Sequence, residues 1–571
     1  MEAGKRNISA IFSGSMRLEI PFFQRSYVWG ETEWERFLED IEAACVNREP
    51  YFMGSLILKQ KATATDIQVG NVRLVVDGQQ RLTTLSILMK VLSLQSGEAK
   101  QLFDRQFVLV DAKPALLHNH NDEAAYNRIM MLTELCELKE TDSVTEAYNY
   151  FRIHADTTKL DYYSICSFIY FVGIDLNYDE DEQQIFDTIN SLGVRLTTAE
   201  LLKNYFFGRN DIEAYKTDWL EVFEKDEDTR AYWDQEIITG RYTRTYIDLF
   251  FYSFLMIKIQ DSRYEVSTEH KIQYSKVDRL FESYKSFIKK YCNDDKTSIL
   301  KEIRNYAEKF SKVISDEPLQ DELPAESGIS RLNAIMFALD TATLIPYVLY
   351  LEMNVSDLNV RNSMYEFLET YIMRRLVTRQ TTKNYNHLFS ERLILNRILT
   401  KEDLSQAILD NDASVNRMPT DAEVIEAFHT SILTNRYAAG VLYLIESKIR
   451  NRTKHSTQLL GINKYSLEHL MPKKWRNYWE KTDTPAEAEA RDRVLLTLGN
   501  LTIITQSLNA SVRDADWDTK KNGKGDKGGL RKYADGIETL SEYLDREKWD
   551  EQAISDRAEF LAKKAISVWT T

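Results

Sequence analysis

The 571-residue sequence carries 73 Lys and Arg against 88 Asp and Glu, a formal net charge of −15, and is 43% hydrophobic and 28% charged. That balance belongs to a globular chain with several cores, about three or four domains at roughly 150 residues each. It excludes a protein dressed all over in positive charge for nucleic acid, so any such contact has to use a local patch. No run approaches the ~20 uninterrupted apolar residues of a membrane span. The start, "MEAGKRNISAIFSG", lacks the apolar block and small-residue cleavage site of a signal peptide. Cys45, Cys136, Cys166 and Cys292 are scattered with no C-x-x-C pair. Such usage suits a reducing cytoplasm and counts against a cysteine-built zinc site.

In chain order, "MRLEIP" alternates like a strand until Pro21 stops it. Trp34, Phe37, Leu38 and Ile41 then recur at i, i+3, i+4 and i+7, one face of a helix. "GSLILK" is a further strand, and "IQVGNVRLVV" is a hairpin because Gly70-Asn71 can supply the positive φ of a tight turn. A helix follows from Gln79 to about Leu94, with apolar positions at Leu82, Leu85 and Leu88. The first hundred residues thus predict a small α/β or α+β unit. From about Asn121 to Thr434 the pattern is almost wholly helical, as in "TYIDLFFYSFLMIKI" and "NSMYEFLETYIMRRLV". Linkers fall at "DEPLQDELPAESG" and "NRMPTD", and the acidic run "IDLNYDEDEQQ" fits a solvated loop. After about Asn435 the character changes again, through "YSLEHLMPKKW" to "LGNLTIITQSLN".

One stretch near the front asks for a chemical account. In "VVDGQQRLTTLSIL" a strand hands over to a helix through Asp77, Gly78, Gln79, Gln80 and Arg81. A helix opening there points free N–H groups beyond the turn, an arrangement that favours a phosphate, and Arg81 adds a charge-assisted donor. Gly78 permits close backbone approach. An ordinary strand–turn–helix with a surface arginine accounts for most Asp-Gly turns of this kind. Two further stretches accompany it. "IPFFQRSYVW" again pairs an amide, Gln24, with a guanidinium, Arg25, beside aromatic rings. "IFDTINSLGVRLTTAELLKNYFF" holds Asn190 and Gly193 in a polar turn, and Thr197 and Glu200 have the spacing of a capping box that starts a helix.

Together, in this order, these stretches resemble the N-terminal domain of the GmrSD-type modification-dependent (type IV) restriction endonucleases and related phage-defence proteins. The family's "DGQQR" is intact at Asp77 to Arg81. Its "IPxxQRxYxW" element matches Pro21, Gln24, Arg25, Tyr27 and Trp29, and its "N-x-x-G-x-x-L" element matches Asn190, Gly193 and Leu196. The resemblance implies a ParB/sulfiredoxin-like α/β domain that binds and hydrolyses a nucleoside triphosphate. Independently of it, no Walker motif G-x-x-x-x-G-K-[ST] occurs in the chain.

Near the back, "SLEHLMP" places Glu468 beside His469, "LGNLTI" carries Asn500, and Asn509 follows where a helix begins. A lone Glu-His pair is ordinarily structural. The ordered set resembles the HNH-like (ββα-metal) C-terminal domain of the same family, whose signature is "EHxxP…LGNL…N". That resemblance implies His469 as general base, Glu468 and Asn509 as ligands of a divalent cation (Mg2+ or Mn2+), and Asn500 holding the imidazole. The residue types suit these tasks, because imidazole titrates near neutral pH and oxygen donors suit a hard ion. Lys520 is placed near the scissile phosphate. The run after the last helix, "KKNGKGDKGG", departs from the family pattern.

From Arg513 to Lys532 seven cations face four aspartates. By charge alone this is a solvated loop, but beside a nuclease it becomes a DNA-backbone contact using Lys520 and Lys521. The expected fold is α+β and predominantly helical: a ParB-like domain at 1–210, a helical linking region at 211–434 and an HNH-like nuclease at 435–571. The expected activity is NTP-regulated cleavage of modified phage DNA in the cytoplasm, with double-stranded DNA and an NTP as partners and a homo-oligomer or defence-system partner protein besides. Two other classes stay open. One is a nucleotide-sensing DNA-binding subunit with an inactive HNH-like domain; the other is a small-molecule nucleotidase.

Overall fold

In the computed structural model, all residues are described except 1, 23, 25, 62–70, 96, 178–196, 209–210, 240–241, 410–414, 452–457, 478, 525–526 and 534–535. The chain divides into two compact units, 1–219 and 220–571. The architecture is α+β and mostly helical.

The first unit is built on a six-stranded mixed sheet. Its strands are β1 (Glu2–Asn7), β2 (Met16–Glu19), β3 (Tyr51–Gln60), β4 (Asn71–Asp77), β5 (Leu116–Leu117) and β6 (Ile169–Leu176), in the order β1-β6-β3-β4-β2-β5. β3 and β4 pair antiparallel, with Gln60 opposite Arg73. The expected Gly70-Asn71 turn falls partly outside the described residues, and the partner strand proves to be "GSLILK" with its flanks. β6 runs parallel to β3 and antiparallel to β1, in the interior of the sheet. Sequence reading placed this segment in a helical region. "IYFVGIDL" is an apolar run without clean alternation, and periodicity alone does not separate such a strand from a buried helix.

Helix α1 (Glu31–Asn47) buries Trp34, Phe37, Leu38 and Ile41 as its spacing predicts. α2 (Gln79–Gln95) is different. Leu82, Leu85 and Leu88 are buried, but so are Thr83, Thr84, Ser86 and Lys90. The helix is enclosed on every side, packed against helices Gly97–Phe107 and Ser143–His154. Its hydroxyls survive burial by bonding back one turn: Thr83 to the Gln79 carbonyl, Thr84 to Gln80 and Ser86 to Leu82, at 2.7–2.8 Å. α3 (Thr198–Phe206) opens on the expected capping box of Thr197 and Glu200.

The second unit is helical, with three short antiparallel pairs among the described residues, the smallest of them Gly523–Lys524 with Lys527–Gly528. The others are β7 (Glu236–Thr239) with β8 (Tyr242–Thr245), and β9 (Tyr465–His469) with β10 (Leu501–Thr505). Buried arginines tie its parts together. Arg331 makes two 2.8 Å bonds to Glu369 and reaches the Leu444 carbonyl at 3.0 Å. Arg374 donates to the Trp569 carbonyl at 2.7 Å. Arg557 donates to the carbonyls of Thr539, Gly499 and Leu501. The helical middle and the C-terminal segment therefore share one interior. Among the described residues no helix is long and apolar enough to cross a membrane.

Candidate functional site

Two separate constellations carry chemistry, one in each unit. The first surrounds the turn from β4 into α2. Asp77 ends the strand, Gly78 takes φ +100°, and α2 starts at Gln79. A β-carbon at Gly78 would meet the Leu56 side chain at 3.0 Å and the Ser55 carbonyl at 3.3 Å, so both space and φ call for glycine. The Asp77 carboxylate accepts from Ser55 at 2.8 Å and from Arg81 at 3.0 Å. Arg81 also donates to the Met53 carbonyl at 3.0 Å. It fits because residue 54 is glycine: a β-carbon there would lie 2.1 Å from the guanidinium.

The two glutamines of the motif do different things. Gln80 turns inward, accepting from the Val28 N–H at 3.0 Å and donating to the Ser26 carbonyl at 3.2 Å. It thereby joins "IPFFQRSYVW" to the start of α2. Gln79 is 8% exposed, and its side-chain oxygen has no hydrogen-bond partner among the described residues. A buried orphan acceptor costs free energy, of order 1–3 kcal/mol, and marks a group kept for a ligand or a water. Gln24 is buried and accepts from Asn204 of α3 at 3.1 Å. The first two motifs therefore meet, and the helix that follows the third joins them. Arg25, Asn190 and Gly193 themselves lie outside the described residues.

Sequence reading missed the segment "HNHND". His118 meets Thr83 at 2.8 Å, Asn121 donates to Ser26 at 2.8 Å, and Asp122 accepts from the Tyr27 N–H at 2.7 Å. Ser55, Gly54 and Asn204 were missed as well. The available signal was two of the chain's eight histidines within three positions, beside two asparagines and an aspartate.

The second constellation is strand, strand, helix. β9 ends on His469, whose residue pairs with Leu501 of β10; α4 (Gln506–Val512) follows directly and carries Asn509. Thr505 caps that helix, which fixes its start against the sheet. The Asn509 amide donates to the Ser466 hydroxyl at 3.0 Å and to the Leu467 carbonyl at 3.1 Å. With both N–H groups held by β9, its side-chain oxygen is left as the available donor to a cation. Glu468 precedes the histidine and is 7% exposed. The His469 imidazole is half-buried, and its ring nitrogens have no hydrogen-bond partner among the described residues. Burial, with help from Lys473 and Lys520, lowers its pKa from 6.5 to about 4. The ring is neutral near pH 7 and can accept a proton, but a pKa this low makes it a weaker base than an ordinary imidazole.

Three sequence expectations require correction. Asn500 does not hold the imidazole. It is fully buried, and its amide is committed elsewhere: its oxygen accepts from the Met471 N–H and the Trp549 indole, and its nitrogen donates to the Met471 and Leu495 carbonyls, all at 2.8–3.0 Å. It fixes the backbone just after His469 and is a positioning residue. Lys520 is not a surface cation. It is 0% exposed, paired with the Glu468 carboxylate and bonded to the His469 carbonyl at 2.6 Å. Lys521 is 6% exposed and donates to the Arg546 carbonyl at 3.0 Å. Helix α5 (Trp517–Asn522) turns these two lysines inward, where charge counting along a sequence cannot see them.

Metal fit follows from these donors. Among the described residues no cluster of three or more His, Cys, Asp and Glu side chains is arranged for a metal. A carboxylate from Glu468 and an amide oxygen from Asn509 are the donor types a hydrated magnesium-like ion takes, with waters and substrate phosphate as its other ligands. Lys520 already sits on that carboxylate. Burial pushes the Glu468 carboxyl up and the Lys520 ammonium down, while their mutual attraction opposes both shifts.

A strand–turn–helix with a positive-φ glycine in one unit and a strand–strand–helix carrying Glu468, His469 and Asn509 in the other are the two constellations the structure offers. Domain comparison gives the family. The GmrSD restriction endonuclease N-terminal domain matches residues 8–207, and the GmrSD restriction endonuclease C-terminal domain matches residues 418–564. The chain belongs to the GmrSD restriction endonuclease family, a restriction endonuclease role with DNA as substrate. No curated protein matches it.

Proposed function

We propose that the chain is an NTP-regulated endonuclease that cleaves modified foreign DNA by metal-dependent phosphodiester hydrolysis. The observation that carries this reading is the half-buried imidazole of His469 at the end of β9, next in the chain to Glu468, on a strand that Asn509 of α4 holds by its bonds to Ser466 and Leu467. His469 takes the proton from an attacking water and holds it on a ring nitrogen. Asn500 keeps the chain beyond His469 in place through its bonds to Met471. Glu468 and Asn509 would hold a divalent cation, which would supply electrostatic stabilisation of the charge that develops on the phosphate. Asp77, Gly78, Gln79 and Arg81 bind the triphosphate, with Gln24, Arg25, Asn190 and Gly193 completing that site. Gating by a nucleotide makes physical sense, because contacts to the DNA backbone carry no sequence information and an unregulated enzyme of this kind would cut its own genome.

One observation favours a second reading. The Lys520 ammonium occupies the carboxylate that a metal would need, as it would in a nucleotide-sensing DNA-binding subunit with a silent centre. Purified protein incubated with modified and unmodified phage DNA, with magnesium or manganese and with each NTP in turn, separates the two. Cleavage confined to modified DNA and altered by one NTP supports the endonuclease. Binding without cleavage under every condition supports the silent subunit.

A further inference from the structure

The second unit holds a cavity of about 640 Å³ that neither constellation uses. It lies in the helical middle, between β8 with helix Tyr246–Gln260 on one side and the ends of helices Leu358–Val377 and Asn435–Ile449 on the other. Its volume is within the range that encloses a small organic ligand, roughly 300–1,000 Å³. Its charged lining is Arg244, Arg379 and Asp340, an excess of one positive charge in a chain whose net charge is −15.

Several of its side chains are uncommitted. Among the described residues Arg244 has no carboxylate within 4 Å; its guanidinium lies 5.0 Å from the centre of the Tyr252 ring and donates to the Asp248 carbonyl at 3.2 Å. Arg379 lies exposed at the rim, and no side-chain bond holds it among the described residues. Tyr437 is half-buried, with neither an aromatic neighbour nor a hydroxyl partner there, and the Gln380 amide is likewise unpaired among the described residues. Arg379 and Asp340 take φ +56° and +54° as the left-handed residues that close their helices, with the Gln380 N–H bonded back to the Arg375 carbonyl and the Thr341 N–H to the Met336 carbonyl. Two π-helical turns, Ala334–Ala338 and Leu388–Arg392, lie next to the lining, and such turns recur at functional sites.

A free ring, a free amide, two guanidinium groups and an apolar floor are complementary to one chemical class. We propose that this cavity binds a nucleotide, with a heteroaromatic base against Tyr437, its polar edge at Gln380, and its phosphate between Arg379 and Arg244. Tyrosine faces stack on any base, and guanidinium pairs with phosphate through parallel hydrogen bonds. The same chemistry is offered by a free nucleotide and by a nucleotide turned out of a DNA strand.

The test uses the full-length protein in two arms. In the first, binding of deoxycytidine and deoxyadenosine 5′-monophosphates is measured by calorimetry beside the corresponding nucleosides. In the second, a duplex containing 2-aminopurine is titrated with protein, and a rise in fluorescence reports an unstacked base. Binding of a monophosphate at least tenfold tighter than its nucleoside, weakened at least tenfold by Arg379→Ala with Tyr437→Ala, identifies a free nucleotide as ligand. A fluorescence rise abolished by the same substitutions identifies the base turned out of DNA. Should the double variant unfold, Arg379→Gly serves instead, because glycine accepts φ +56° while removing the guanidinium. Both residues lie in the second unit, so their effect is distinct from any loss at Asp77. Neither signal in the wild type, or a signal unchanged in the variants, overturns the proposal.

Discussion

The Lys520 ammonium is buried against the Glu468 carboxylate and the His469 carbonyl oxygen, so the chain's cation and anion at the nuclease centre neutralise each other. Removing one partner of such a pair leaves an uncompensated buried charge, at a cost of about 3–5 kcal/mol. Lys520→Met is expected to destabilise the protein by about that amount in urea unfolding, and Glu468→Gln with Lys520→Met to recover much of the loss. Lys520 contributes no phosphate contact in this arrangement. DNA binding by a folded double variant is then expected to keep the wild-type salt slope.

His469 sets a pH signature. Its folded-state pKa of about 4 lies below the ordinary 6.5. Between those values the unfolded chain takes up a proton and the folded chain does not. The contribution of His469 to stability is therefore full above pH 6.5, falls as pH drops towards 4, and levels off below. An NMR titration of the imidazole is expected to show a midpoint near 4 in the DNA-free protein, and His469→Ala is expected to flatten the stability profile across the same window.

Asn500 acts through the backbone. Asn500→Ala strips four hydrogen bonds and leaves the Met471 N–H and carbonyl, the Leu495 carbonyl and the Trp549 indole without it. With each buried orphan costing about 1–3 kcal/mol, a loss of about 3 kcal/mol or more is expected in thermal or urea unfolding. Asn500→Asp keeps the two acceptor contacts but sets a carboxylate oxygen against the Met471 and Leu495 carbonyls in a fully buried site, and is expected to lose at least as much.

At the other site, Asp77→Ala and Arg81→Ala are expected to abolish nucleotide hydrolysis while leaving divalent-cation binding at the C-terminal centre unchanged. Gly54→Ala is a less obvious test of the same cradle. Its β-carbon would sit 2.1 Å from the Arg81 guanidinium, at a residue with φ +104°. Its hydrolysis rate is expected to fall towards that of Arg81→Ala. A phosphate-release assay with each NTP measures both.

What the sequence made legible was local. The helix at Gln79, the capping box of Thr197 and Glu200, the faces of the helix at Glu31 and the strand at Leu501 each follow from periodicity or from residues within one turn. Membership of the GmrSD family was legible for the same reason, since "DGQQR" and "EHLMP" are contiguous. What escaped depends on residues far apart in the chain. Asn500 finds its partners at residues 471, 495 and 549, and Lys520 finds Glu468 across 52 positions. Strand β6 was hidden because apolar residues also occupy its more exposed face, at Tyr170 and Val172, so burial alternates along it while hydrophobicity does not. The lysines were misplaced because charge says nothing of direction on a helix whose ends are not yet fixed.

The most direct measurement of the central claim is cleavage of modified phage DNA by wild type and His469→Ala, in magnesium, with matching unfolding curves as proof of fold. The account predicts that the variant loses cleavage by about two to four orders of magnitude, the range of a general-base effect, while DNA binding persists. Equal cleavage by the two proteins would contradict it.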